Sequence, residues 1–122
     1  MLEYRNFIFR QMLREEPDAL FVFGDNLARR GFGGQAKEMR GEPNAVGIPT
    51  KKLPSMREGS FFTDSDLPTW RMHVAPAFER LRNHPGRIVW PTDGLGTGLA
   101  QLQHRAPAIW QELEALEIEL NT

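Results

Sequence analysis

Cysteine is absent from this sequence. That absence excludes a disulfide framework, a thiolate nucleophile, a Cys-held iron–sulfur cluster and a Cys zinc site. Histidine is scarce: His73, His84 and His104 share no metal-ligand spacing, so neither a metal nor a cofactor is expected. No charge sign dominates, with 15 Lys plus Arg against 16 Asp plus Glu and a net charge of −1. A global basic excess of the kind that marks nucleic-acid binders is therefore missing. Long apolar runs are missing too. The opening stretch MLEYRNFIFRQMLREEP carries Glu3, Glu15 and Glu16 and reads as neither a signal peptide nor a membrane span. A cytoplasmic domain with no membrane partner is expected, its chemistry resting on oxygen, nitrogen and backbone groups.

What is present fits one folded domain over residues 1–122, with 40% hydrophobic and 25% charged residues. Residues 20–23, Leu-Phe-Val-Phe, form an apolar run too short for a helix, bounded by Pro17-Asp18 and by Gly24-Asp25-Asn26. Such a run predicts a strand buried on both faces. A short helix is expected over residues 35–39, ended by Gly41, then a strand over 45–48 closed by Pro49-Thr50. Residues 51–66 read as a long surface loop, a length often tied to function. A helix capped by Ser65 or Asp66 follows, with Pro68 in its first turn and Trp70, Val74, Phe78 and Leu81 on one face. Pro76 is expected to kink or restart it. A strand over 87–91 and a helix over 106–120 complete the pattern, with a further strand over 4–9 and a short helix over 11–15 at the start. Alternation of this kind predicts an α/β fold, a three-layer α/β/α sandwich around a mostly parallel mixed sheet.

Most of the glycine lies in two stretches, Gly24, Gly31, Gly33, Gly34 and Gly94, Gly96, Gly98, each directly after a predicted strand. In parallel sheets ligands sit at the carboxyl ends of strands. The first loop lets backbone approach a ligand without a Cβ in the way, and it runs into a helix whose first amides suit an anion. Asp25 and Asn26 stand at the strand tip facing a polyol such as ribose, and Arg29 and Arg30 suit a phosphate. In the second loop, Asp93-Gly94-Leu95-Gly96-Thr97-Gly98-Leu99, a G-x-G-x-G series places amides in a concave arc, and Thr97 adds a hydroxyl. The bland alternative for both is a tight turn into a helix. Neither loop carries a Walker ending or an intact dinucleotide fingerprint.

Asn26, Gly33-Gly34 before a helix, and Gly96-Thr97-Gly98-Leu99 after a late strand resemble the two ligand loops of the macrodomain. The Phe-Gly-Asp-Asn form, with Ile-Pro-Thr-Lys after the next strand, is similar to compact macrodomain-like proteins of bacteria and phages. The resemblance implies a macrodomain-like α/β/α module that binds ADP-ribose, with hydrolysis of an ADP-ribosyl linkage in some branches. It implies that Asn26 touches the distal ribose, Gly33 and Gly34 line the catalytic loop, and Gly96-Thr97-Gly98 wraps the diphosphate. The chain departs from standard members in carrying Phe23-Gly24-Asp25-Asn26 in place of their usual Asn-Ala string.

The expected ligand set is therefore Gly24, Gly31, Phe32, Gly33, Gly34, Thr50, Lys51, Asp93, Gly94, Gly96, Thr97, Gly98 and Leu99, with Asp25 and Asn26 as candidate catalytic residues orienting water. Capping is the competing role for Asp25 and Asp93, plain solvation for Thr50, Lys51 and Lys52. Phe32 is a candidate for stacking on a ribose or base; Trp90 reads as core; Phe61-Phe62 either pack the loop down or cover a pocket. The expected function is binding of ADP-ribose or a related nucleotide diphosphate derivative, free or on an ADP-ribosylated macromolecule, with ADP-ribosyl hydrolase activity left open. Two alternatives stand beside it: a non-enzymatic module that senses or sequesters a nucleotide signal, and a nucleic-acid-associated domain using Arg29, Arg30, Lys37, Arg40, Lys51 and Lys52.

Overall fold

A computed structural model describes residues 2–122. Four strands, β1 (Leu2–Arg5), β2 (Leu20–Asn26), β3 (Ala45–Lys51) and β4 (Ile88–Pro91), form one sheet in the order β1-β4-β2-β3. All of its pairings are parallel, so the sheet is not mixed. Five helices accompany it among the described residues: α1 (Arg10–Glu15), α2 (Ala36–Met39), α3 (Leu67–Asn83), α4 (Leu102–Arg105) and α5 (Pro107–Leu120). The result is a mixed α/β fold.

Alternation along β2 explains its continuous apolar run. Leu20 and Val22 enter one core with Trp70, Val74, Phe78 and Leu81 of α3 and Ile109, Leu113 and Leu116 of α5. Phe21 and Phe23 enter a second core with Leu13 of α1 and Ala36 and Met39 of α2. The strand is thus buried on both sides, which removes the polar alternation of a half-exposed strand. Each fully buried large side chain of this kind contributes about 1.5–3 kcal/mol. Trp70 also pins α3 to the end of β3, its Nε1 donating to the Pro49 carbonyl at 2.8 Å.

Several boundaries differ from expectation for local reasons. β2 and β3 each run three residues further, because Gly24 and Asp25 pair with Ile48 and Pro49, and Asn26 with Lys51 after a register shift. Pro49 is tolerated because β3 is an edge strand. β1 ends at Arg5, leaving Phe7 and Phe9 exposed. α3 runs unbroken through Pro76, with its apolar stripe still on the core. Asp66 is the cap residue of α3 but makes no side-chain bond to it; instead a capping box joins Thr63 and Asp66 across the preceding 3-10 turn Asp64–Asp66, and the Thr63 amide donates to Asp66 at 2.8 Å. Within the 51–66 loop, Ser60, Phe61 and Phe62 are buried, so the two phenylalanines pack the loop down.

The topology makes one crevice. β2 and β4 are neighbours, yet the helix after β2 packs on one face while the helices after β4 pack on the other. Loops leaving adjacent strands toward opposite faces open a gap at their carboxyl ends.

Candidate functional site

That gap is a cavity of about 490 Å³, lined by both glycine stretches, by Thr50 and Lys51 at the end of β3, and by Arg30, Gln35, Arg40 and Pro54. Every expected site residue borders it: Gly24, Asp25, Asn26, Gly31, Phe32, Gly33, Gly34, Thr50, Lys51, Asp93, Gly94, Gly96, Thr97, Gly98 and Leu99. The size falls in the range of roughly 300–1,000 Å³ usual for small-molecule sites. Phe32 and Leu99, 65% and 67% exposed, stand at the cavity from opposite loops.

Backbone amides dominate the lining. Those of Gly31, Phe32, Gly33 and Gly34, and those of Gly96, Thr97, Gly98 and Leu99, donate to no acceptor among the described residues. Positive φ angles at Gly31, Gly34, Gly94 and Gly96 turn the chain sharply at both loops. Close packing accounts for Gly96 and leaves little room at Gly24. A Cβ at Gly96 would lie 2.9 Å from Leu102, and one at Gly24 would lie 3.3 Å from Thr50 Oγ1. Gly33 and Gly98 have open space where a Cβ would stand and no positive φ.

The helix after the first loop, α2, is a single turn, and a second single turn, α4, intervenes before α5. The expected helix-dipole contribution therefore lapses, and any anion affinity rests on loop amides and side chains. Thr97 Oγ1 donates back to the Asp93 carbonyl at 2.8 Å, so its hydroxyl proton serves the turn.

Asn26 sits at the tip of β2 and is only 8% exposed. Its Nδ2 donates to the Arg30 carbonyl at 2.8 Å, while its Oδ1 has no partner among the described residues. A buried acceptor without a donor costs about 1–3 kcal/mol. Asp25, beside it, is fully engaged. Its Oδ1 accepts from Arg40 at 2.6 Å and from the Asn26 amide at 2.8 Å, and its Oδ2 pairs with Arg29 at 3.3 Å. These bonds make Asp25 an anchor of the first loop.

The cations divide in the same way. Arg29 and Arg40 serve Asp25, and Lys52 pairs with Asp66. Lys51 donates to the Ser55 carbonyl at 2.5 Å and lies over the Phe61 ring, which Arg105 covers at 3.7 Å. Burial, then the nearby Arg105 charge, lowers the Lys51 ammonium below its ordinary value. Arg30 alone among these lining cations is exposed and free of ion-pair or hydrogen-bond partners for its side chain among the described residues. Of the expected basic patch, Arg29, Arg40 and Lys52 are in ion pairs, while Arg30 and Lys37 are exposed. Trp90 is buried core. Among the described residues no three His, Asp or Glu side chains gather as a metal site.

Sequence reasoning missed the role of Arg40. Its one signal was indirect: a buried aspartate requires a cationic or hydrogen-bonding partner. The chain belongs to DUF7831, a family of unknown function, which matches residues 3–116. No curated protein and no solved structure matches the chain.

Proposed function

We propose that this cavity binds ADP-ribose or a closely related nucleotide diphosphate derivative, in a macrodomain-like manner. The observation that carries the reading is the convergence of two runs of unpartnered amides and one buried, unpartnered acceptor, Asn26 Oδ1, on the same cavity. Amides in a concave arc suit the oxygens of a diphosphate. A ribose hydroxyl supplies the donor that Asn26 Oδ1 lacks. Arg30 provides a free positive charge, and Phe32 and Leu99 offer apolar cover for a base or sugar. The likeness of the two loops to those of macrodomains supports ADP-ribose over other diphosphates.

Calorimetry with ADP-ribose on wild type and Gly98→Glu tests this reading. Position 98 has room for a side chain, so the variant keeps its fold while placing a carboxylate against the amides. Wild-type binding in the micromolar range, weakened by about tenfold or more in the variant, is expected, a loss of about 1.4 kcal/mol or more. Equal binding by the two proteins would remove the diphosphate assignment. Incubation with an ADP-ribosylated substrate then separates a hydrolase from a reader: release that Asn26→Ala abolishes marks hydrolysis, and retention without release marks recognition alone.

A further inference from the structure

We propose that Arg40 is the positioning residue of the first glycine loop, acting through Asp25 to hold the loop in its binding form; this rests on the ligand reading given above. Residues between β2 and α2 form no regular structure, and three of them, Arg29, Gly31 and Gly34, have positive φ. A segment of that kind keeps one shape only when surrounding groups over-determine it.

Arg40 supplies that restraint from a single guanidinium. Its Nε donates to the Gly31 carbonyl at 2.9 Å, and one terminal nitrogen donates to Asp25 Oδ1 at 2.6 Å and reaches the Arg30 carbonyl at 3.3 Å. The fork lies over the Phe23 ring, 5.7 Å from its centre. Asp25, with a side chain only 3% exposed, is the fixed point. It also takes Arg29, whose guanidinium donates to the Gly47 carbonyl of β3 at 3.0 Å and so ties the left-handed residue to the sheet. The Arg30 carbonyl is held a second time by Asn26. Loop carbonyls at 30 and 31 are thus consumed by protein donors, while the amides at 31–34 keep no protein acceptor among the described residues. This pattern presents donors, and withholds acceptors, toward an anion.

A planar fork is needed for this. A lysine can reach Asp25 as a point charge but lacks the second, fixed nitrogen with which Arg40 holds the Gly31 carbonyl.

Amide hydrogen exchange on the free protein, with ADP-ribose calorimetry at several salt concentrations, tests the assignment in Arg40→Gln and Arg40→Lys. Both variants are expected to exchange the Leu27 and Arg29 amides at the start of the loop, which donate to the Lys51 and Asn26 carbonyls, about tenfold faster or more while β2 up to Phe23 and β4 keep their protection. Unchanged loop exchange in either variant, or equal loosening of the central strands, would overturn the assignment. Arg40→Gln is expected to weaken ADP-ribose about tenfold without altering the salt dependence of binding, whereas Arg30→Gln reduces that dependence. A reduced salt dependence in Arg40→Gln would make Arg40 a direct ligand contact and overturn the positioning role. Failure of wild type to bind ADP-ribose removes the proposed function; the exchange result then decides the role of Arg40 by itself.

Discussion

Gly47 lies on β3 opposite Phe23, and an added methyl group there tests how tightly the buried carboxylate is held. A Cβ at position 47 would lie 2.6 Å from Asp25 Oδ2, 3.0 Å from Phe23 Cζ and 3.1 Å from Asp25 Cβ. None of these atoms has an easy retreat. Asp25 is gripped by Arg40, Arg29 and the Asn26 amide, and Phe23 is buried beneath Arg40. Gly→Ala gains about 0.5–1 kcal/mol from a less flexible unfolded chain. Overpacking costs about 1–3 kcal/mol, and full rupture of a buried ion pair costs about 3–5 kcal/mol. A partial shift of Asp25 away from its arginines gives a net loss of about 2–3 kcal/mol in Gly47→Ala. With about 2.1 cal/mol/K of unfolding entropy per residue, 1 kcal/mol moves the melting temperature of a 122-residue chain by about 4 °C. Urea unfolding and calorimetric melting therefore find Gly47→Ala lower by about 8–12 °C. Gly33→Ala, in open space, is the control and stays within about 1 kcal/mol of wild type. A Gly47→Ala protein as stable as the control would refute the claim that Asp25 is immobile.

Two further outcomes concern stability away from the cavity. Hydrogen bonds from Arg5 and then Arg87 lower the Glu16 carboxyl from 4.5 to about 2. Because the folded value is the depressed one, the stabilisation is present above pH 4.5 and is lost as the pH falls toward 2. Solvent screening of this partly exposed network limits it to about 1 kcal/mol, and Glu16→Gln flattens that acid limb in pH-dependent urea titrations. Pro76 sits on the exposed side of α3, where proline removes a backbone donor and crowds the preceding turn. Pro76→Ala is expected to raise stability by about 1–3 kcal/mol in thermal unfolding; a loss would mean that proline is accommodated by compensating contacts.

The readable parts of the fold were those where burial speaks through residue type. The runs at 20–23 and 88–90 are apolar on successive residues because β2 and β4 face a core on both sides. Ends of elements were less readable. Gly24, Asp25 and Asn26 have turn-forming character, yet pairing with β3 draws them into the strand. Phe7 and Phe9 suggested a longer first strand, although both are exposed beyond its end. At the site, the glycines marked both loops, and all seven of them border the cavity. The ion pairs were unreadable, because the partner of Asp25 lies across a loop at Arg40 and is fixed by three-dimensional closure rather than by spacing.

The glycines themselves divide by cause, and that division carries the functional argument further than their number. Gly96 is glycine because Leu102 lies too close for a Cβ, and Gly24 packs tightly against the Thr50 side chain. Gly31, Gly34, Gly94 and Gly96 meet left-handed backbone. Gly33 and Gly98 answer to neither demand, yet each borders the cavity, one from each loop. A fold selected for its own packing would tolerate alanine at both. Under the proposed reading, the occupant supplies the missing reason, by lying against bare Cα atoms and accepting from the adjacent amides. Gly33→Ala is therefore the substitution at which fold and function part: melting stays near wild type, while ADP-ribose affinity falls with the crowding of the new methyl group.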